Sequence, residues 1–386
     1  MKRVEDVRGC FLHFVDIDQS ASFLSGVDLK VRDQIATLND AGLDCRFVYY
    51  RQPQTLFGKI RSCLPFCSDG VAWPDPYELA AMDYLYIRKP RFVSKEFISF
   101  FMKLKTVNPK LKILYEIPTY PYDAELSGLL LLPARLKDKR WRTYLSRYVD
   151  RLFYISDRAC GQVFGCPSTR IKNGIRVSRI AKKKPVANLD SVNVICCAAF
   201  MWWHGIDRFI EGMARYYEQG GTREVLLHLV GEGEENEKLT TQVERLDLGD
   251  KVRFYGKQST DKIAEVIDQC SFGIDLLGMH RKGATVSSSL KSREYLAYGM
   301  PFMSSAVVDV CDGENVDFIW NPPADESPVS IEDFLDYHDE IYARYDQQGL
   351  IDLIRGFAED HVDMSKTLDP VVSYIRKELV GNVNES

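Results

Sequence analysis

The run Ser287-Ser288-Ser289-Leu290-Lys291-Ser292-Arg293-Glu294-Tyr295-Leu296-Ala297-Tyr298-Gly299-Met300-Pro301 gathers hydroxyls, a cation and a carboxylate in one short segment. It reads as a helix over 290–298 that starts after a serine cap and stops at Gly-x-Pro. The start of such a helix presents unpaired N–H groups and a partial positive charge, which suit a phosphate. Lys291 and Glu294 lie three residues apart, on one side of the helix. The lysine can neutralise a phosphate, and the glutamate can accept hydrogen bonds from sugar hydroxyls. The bland alternative is a capped surface helix with an i,i+3 ion pair.

Other loops carry compatible chemistry. Leu277-Gly278-Met279-His280-Arg281-Lys282-Gly283-Ala284 holds two adjacent cations on a glycine-flanked loop, suited to a diphosphate. Tyr115-Glu116-Ile117-Pro118-Thr119-Tyr120-Pro121-Tyr122-Asp123 offers aromatic faces and carboxylates, the usual means of holding sugar rings; two prolines stiffen it. Ser25-Gly26-Val27-Asp28 puts one glycine between a strand and a helix, where backbone can approach a phosphate. With a single glycine it is no G-x-G-x-x-G fingerprint, which counts against an NAD(P)-dependent oxidoreductase. Asp16-Ile17-Asp18 is read as a polar loop and not as a metal clamp. No His/Asp/Glu cluster has metal-ligand spacing, so neither a metal nor another cofactor is expected.

Short apolar runs alternate with helical patterns along the chain. Strands are expected at Cys10–Val15, Cys45–Tyr50, Tyr84–Ile87, Leu111–Tyr115 and Arg151–Ile155, with helices at Leu29–Leu38 and near 94–105 and 137–149. This is the βαβα order of a doubly wound parallel sheet. Arg176 to Asp190, with three consecutive lysines and no periodicity, reads as a linker. A second series follows: strands Val192–Cys197, Val225–Val230, Val252–Phe254 and Phe272–Leu276, and helices Ile206–Tyr217, Glu235–Leu246, Thr260–Gln269 and 290–298. Helical patterns near 331–345, 347–358 and 366–380 close the chain. The expected fold class is α/β with two Rossmann-like domains, residues 1–175 and 192–365, joined by a 176–191 linker. Two such sheets imply a ligand cleft at the carboxyl ends of their strands.

The length of 386 residues suits two domains, and 45% hydrophobic with 27% charged residues is a globular composition. A net charge of −5 argues against a general nucleic-acid binder. Ten scattered cysteines without C-x-x-C, and the lack of a signal-peptide pattern, lead to an expected cytoplasmic setting. The longest apolar run, Val194 to Trp203, is far below the ~20 residues that span a bilayer. The basic, aromatic-interleaved segment Arg135 to Arg147 could rest on an anionic membrane leaflet, or be a solvated helix packed by Trp141 and Leu145.

The 287–301 run resembles the "LK-x-x-EY-x-A-x-G-x-P" signature of the large family-four group of nucleotide-sugar-dependent, retaining glycosyltransferases of GT-B fold. Ile155-Ser156-Asp157, Lys172-Asn173-Gly174-Ile175, Phe200-Met201-Trp202-Trp203-His204-Gly205-Ile206-Asp207-Arg208, Val230-Gly231-Glu232-Gly233-Glu234 and Phe254-Tyr255-Gly256 resemble further elements of that family, in its order. The likeness is strongest over 192–303.

It implies transfer of a sugar from a UDP- or GDP-linked donor to a glycan or lipid-linked acceptor, in surface glycan or exopolysaccharide assembly. The C-terminal helix, 366–386, is expected to return to the first domain. Lys291, Arg281 and His204 are assigned to the leaving diphosphate, with His204 at the family's lysine position as donor and cation. Gly26, Gly205, Gly231, Gly233, Phe254, Lys282, Ser289, Leu290 and Glu294 are assigned to the donor, with Glu294 on the ribose hydroxyls. Thr119, Tyr120 and Tyr122 are assigned to the acceptor. Two departures stand out: Val286 replaces the first glutamate of the E-x7-E motif, and the 115–123 loop lacks the family's histidine, for which Glu116 is the substitute. They leave open a non-catalytic GT-B-like protein that binds a nucleotide or a partner.

Overall fold

The computed structural model describes residues 3–14, 26–126, 128 and 131–380. The chain divides into two compact units, one built from the described residues up to Lys172 together with those from Thr367 onward, the other running from Asn173 to Lys366.

In the first unit the strands are β1 (Gly9–His13), β2 (Cys45–Tyr49), β3 (Tyr84–Arg88), β4 (Lys112–Ile117), β5 (Arg151–Tyr154), β6 (Gln162–Val163) and β7 (Cys166–Arg170). They form one sheet in the order β2-β1-β3-β4-β5-β7-β6. All pairs are parallel except β6 with β7. Every residue of β1 and β3 is buried, as expected of central strands covered on both faces. The helices are α1 (Gly26–Asp40), α2 (Leu56–Cys63), α3 (Lys95–Val107) and α4 (Leu132–Trp141). Helix α3 shows why the sequence folds so locally. Ser94 caps it by accepting the Phe97 N–H at 3.0 Å. Phe97, Phe100, Phe101 and Leu104 then bury one i, i+3, i+4, i+7 face.

The helix expected over 137–149 instead begins at Leu132, with Pro133 in its first turn, and passes at Arg142 into a 3₁₀ segment ending at Arg147. Helix α2 was not anticipated, because its sequence lacks a buried periodic face.

The second unit holds β8 (Val192–Cys197), β9 (Val225–Val230), β10 (Val252–Gly256), β11 (Phe272–Ile274), β12 (Val286–Ser287), β13 (Phe302–Met303), β14 (Val307–Val308) and β15 (Ile319–Trp320). Its main sheet runs β10-β9-β8-β11-β13-β15, and β12 pairs separately with β14. The helices are α5 (Ile206–Glu218), α6 (Asn236–Arg245), α7 (Thr260–Ile267), α8 (Leu290–Tyr298), α9 (Ile331–Arg344) and α10 (Gln347–His361), with the short α11 (Met364–Thr367) at the boundary. The sequence reading missed β12 to β15; two residues are too few to show a period of two.

The segment expected as a linker packs along the second unit. Lys183 N–H donates to the Tyr298 carbonyl at 2.8 Å. Val186 N–H bonds Gln347 at 2.7 Å, and Arg355 donates to the carbonyls of Ile180 and Val177. The final helix, α12 (Asp369–Leu379), belongs to the first unit. There Lys112 pairs with Glu378 at 2.7 Å and Arg376 donates to the Ala41 carbonyl at 2.9 Å.

Candidate functional site

Helix α8 starts as its sequence dictates. The Ser289 hydroxyl accepts the Ser292 N–H at 3.1 Å and donates to Asp275 Oδ1 at 2.5 Å. One bond caps the helix; the other ties its start to the residue just past β11. Lys291 reaches the same place. Its ammonium donates to the Asp275 carbonyl and lies 4.0 Å from Cys196 Sγ on β8. Among the described residues no ion pair to Lys291 is formed, so its charge is balanced by no bonded carboxylate. Asp275 itself is fully buried, and its Oδ2 has no hydrogen-bond partner. Burial raises its carboxyl above the usual range, against the opposing pull of Lys291 and Ser289. Sequence reading overlooked Asp275; the visible signal was one acid interrupting the apolar run Phe272-Gly273-Ile274-Asp275-Leu276-Leu277.

His204 stands close to Lys291, between β8 and α5. Its Nδ1 accepts the Met201 N–H at 3.3 Å, which leaves the proton on Nε2. Burial, then the fields of Lys291 and Lys282, depress its pKa to about 2. Burial and the two lysines thus disfavour the cation expected of His204, and with Nδ1 accepting from Met201 its Nε2–H remains to donate one hydrogen bond. Gly205 follows in the left-handed region at φ +68°, and a Cβ there would lie 2.6 Å from the backbone of Leu277 and Gly278. The loops after β8 and β11 can touch only because that side chain is missing. Gly231 and Gly233 do the same for the loop after β9, where a Cβ would meet the Ala198 and Phe200 carbonyls at 2.0 and 2.2 Å.

Arg281 is corrected as well. Nε and Nη2 donate to Glu326, Nη1 and Nη2 to Asp207, and Nη1 also to the Trp202 carbonyl at 2.6 Å. All five guanidinium donors are occupied and two carboxylates offset the charge, so Arg281 clamps loops and does not serve a diphosphate. Those bonds raise its pKa further. Its neighbour Lys282 is exposed and lies over the Trp203 ring at 4.3 Å.

Below the start of α8, Arg293 is fully buried and binds the Asn173 carbonyl, the Ser288 hydroxyl and Asp309. Asn173 in turn donates to the Ser288 carbonyl at 2.6 Å. The Asn173-Gly174 turn thus fixes the serine run that precedes the helix. Leu290 is half-buried against the apolar cluster beneath. Glu294 is half-buried beside the end of β8, where burial first and Glu294 second push the Cys197 thiol up to about 12. Phe254 is partly exposed on β10.

In the first unit the candidates separate. Glu116 is sealed from solvent. Lys30 and Arg88 lie 3.3 and 3.1 Å from it, and the Tyr86 hydroxyl and Gln34 amide donate at 2.5 and 2.7 Å. Burial alone would raise its carboxyl, but these four partners outweigh burial and hold it at about 2. It is a structural hub without access to a substrate. Tyr122 is likewise buried, with its hydroxyl on Asp138 at 3.0 Å, and cannot line an acceptor surface. Tyr120 is half-buried edge-on to Tyr154 and Phe164, whereas Thr119 is exposed. Gly26 opens α1. Asp16-Ile17-Asp18 and Ser25 lie outside the described residues. Among the described residues no group of three His, Cys, Asp or Glu side chains could hold a metal ion.

Residues 177–311 match the family model described as glycosyl transferases group 1. A search of curated proteins finds no match. Among solved structures the chain is similar to HepE of Anabaena in complex with UDP, at 13% identity and a TM-score of 0.60, covering 96% of this chain and 100% of that one. It is also similar to a sucrose-phosphate synthase from Thermosynechococcus elongatus, at 14% identity and a TM-score of 0.63 over 97% and 100% of the two chains. A third is the lipopolysaccharide outer core galactosyltransferase WaaB in its apo form, at 14% identity and a TM-score of 0.55 over 95% and 99%. Residues 177–311 thus match the glycosyl transferases group 1 model within a chain that has the GT-B fold of two Rossmann-like domains.

Proposed function

We propose that this protein transfers a sugar from a nucleotide diphosphate sugar to a glycan or lipid-linked acceptor, with retention at the anomeric carbon and without a metal. The observation that carries the reading is Lys291. Its ammonium sits at the carboxyl ends of β8 and β11 beside a capped helix start, bonded to a carbonyl and near a thiol. As the donor's glycosidic bond breaks, negative charge builds on the departing diphosphate. A preorganised cation with helix N–H groups stabilises that charge more than it stabilises the bound donor. His204 Nε2–H adds a neutral hydrogen bond, and Lys282 a second, more exposed cation. Glu294 accepts the ribose hydroxyls. HepE structures hold UDP, UDP with glucose, and UDP-glucose, which supports UDP over GDP as the leaving group. A role in bacterial surface glycan assembly, at the cytoplasmic face of the membrane, completes the reading, in keeping with the activity named for WaaB.

A thermal-shift panel of UDP, GDP and their sugars, each with and without EDTA, tests it. Stabilisation by one nucleotide that survives EDTA and vanishes in Lys291→Ala is the expected result. Val286 at the first E-x7-E position favours a second reading, a non-catalytic nucleotide or partner binder. Nucleotide binding without release of sugar from any donor would select that one.

A further inference from the structure

Helix α2 is amphipathic in the inverted sense. Its small and polar residues Ser62 and Cys63 face inward, while Leu56, Phe57, Ile60 and Leu64 lie outward along one stripe at i, i+1, i+4 and i+8. Leu56 and Phe57 are each 74% exposed, Ile60 is 58% exposed, and Phe66 just beyond the helix is 94% exposed. Helix α4 packs beside α2, with Lys137 donating to the carbonyls of Ser62 and Cys67 at 2.9 and 2.7 Å. It too turns apolar side chains outward, Leu132 and Leu136. Lys59 and Arg61 flank the stripe on α2, and Lys139 and Arg140 flank the pair on α4; all four are exposed. No acid occurs between Gln52 and Ser68. The one acid of α4, Asp138, is buried and bonded to the Val93 N–H, Tyr122 and Arg142. In a chain of net charge −5, this surface is cationic and apolar with no exposed acid on either helix.

We propose that the exposed faces of α2 and α4 dock on an anionic lipid surface, with Phe57, Ile60 and Phe66 entering the interface and Lys59, Arg61, Lys139 and Arg140 meeting lipid phosphates. The combination of protruding aromatic and aliphatic side chains with flanking cations fits a bilayer interface. Among the described residues no helix is long and apolar enough to cross a membrane, so contact through these helices is peripheral. The inference gives the membrane contact of the proposed function a specific surface. It rests only on the first unit, so its failure would leave the nucleotide assay standing. Of the basic segment Arg135 to Arg147 it uses Lys139 and Arg140 and leaves out Arg142, which is tied to Asp123 and Asp138.

Flotation of the full chain with vesicles of phosphatidylcholine, with and without phosphatidylglycerol, tests it. Binding is expected on the anionic vesicles, weakened by salt. Phe57→Ser with Ile60→Ser should lower partitioning roughly 10- to 100-fold. Lys139→Glu with Arg140→Glu should lower it roughly 10-fold. Phe66→Ser, at a position too exposed to support the core, keeps the test valid if the double serine variant misfolds. Absence of binding by the unmutated protein would overturn the proposal, as would binding that survives all three variants. Sedimentation showing self-association that the serine variants abolish, with no vesicle binding, would assign the face to a second copy instead.

Discussion

The two sheets end in charged clusters of opposite character. At the carboxyl ends of β3 and β4, Glu116 is enclosed by Lys30, Arg88, Tyr86 and Gln34. At the carboxyl ends of β8 and β11, Lys291 meets a backbone carbonyl and a thiol, and Asp275 keeps one oxygen unbonded. Two largely parallel sheets of different strand order therefore yield a hub of matched charges in one unit and, among the described residues, a half-buried lysine without a carboxylate partner in the other. Position at the end of a parallel strand nominates a residue for chemistry; the bonds its charge already makes decide whether it is available. The sharpest way to break this comparison is Glu116→Gln. Two buried cations would then face a neutral amide, and we expect the first unit to lose about 3–5 kcal/mol. Hydrogen exchange should show β1, β3 and β4 losing protection while α8 keeps its own. A variant that exchanges like the parent but has lost turnover would return Glu116 to the chemistry.

Lys291→Ala probes the other cluster. Removing the more buried of the two lysines proposed to meet the diphosphate should lower kcat/KM by about 10²- to 10³-fold, as for other preorganised charge stabilisers. Protection of the core strands should stay unchanged. Lys282→Ala, at an exposed and screened position, should cost only about 3-fold. Equal losses from the two lysines would mean that charge in the region matters and the seat of Lys291 does not.

What could be read from sequence follows the range of the forces involved. Helix α8 was legible from end to end because its signals are local: the serine cap, the lysine–glutamate spacing and Gly299 before Pro301. The alternation of apolar runs with helical patterns gave both parallel sheets, since a buried strand of five or six residues is visible as a run. Charge compensation was not legible. Arg281 looked like a phosphate ligand because Asp207 and Glu326, which claim it, lie far away in sequence. Glu116 looked catalytic because nothing local shows Lys30, Gln34, Tyr86 and Arg88 converging on it. Tyr122 and the two-residue strands failed for the same reason: burial and pairing are set by distant elements.

Acid should separate the two units. His204 is depressed to about 2, and His228 and His338 to about 4; burial is the first cause in each. A histidine that is neutral when folded and titrates near 6.5 when unfolded adds stability that is complete above pH 6.5. That stability fades as pH falls toward the folded value, by at most ~1.4 kcal/mol per pH unit for each group. The second unit holds these three, opposed by Asp275, whose raised carboxyl gains stability as pH falls. The first unit has one depressed histidine, His13, opposed by two raised carboxyls, Asp69 and Asp138. Glu116 there keeps its contribution until pH drops below about 4.5 toward 2. Exchange protection between pH 6.5 and 4 should therefore fail first in the second unit. Loss starting in the first unit would show that the histidines titrate normally and that the neutral form of His204 is wrong.

The serine cap of α8 isolates how the cluster around Lys291 is held in place. Ser289→Ala removes the cap on Ser292 N–H and the bond to Asp275 together, at about 1 kcal/mol for the cap. Donor affinity should fall roughly 5-fold, the same free energy expressed in binding, because the helix start frays where the phosphates would bind. Ser289→Thr keeps a hydroxyl able to make both bonds and should restore most of the affinity. Ser289→Asn can cap the helix but does not reproduce the hydroxyl's geometry toward Asp275. If the asparagine variant restores affinity as fully as threonine, capping alone orders the site and Asp275 is a bystander. If only threonine restores it, the buried carboxylate past β11 fixes the start of α8 relative to Lys291. The cluster around Lys291 would then depend on a partly satisfied acid, as the hub in the first unit depends on a fully satisfied one.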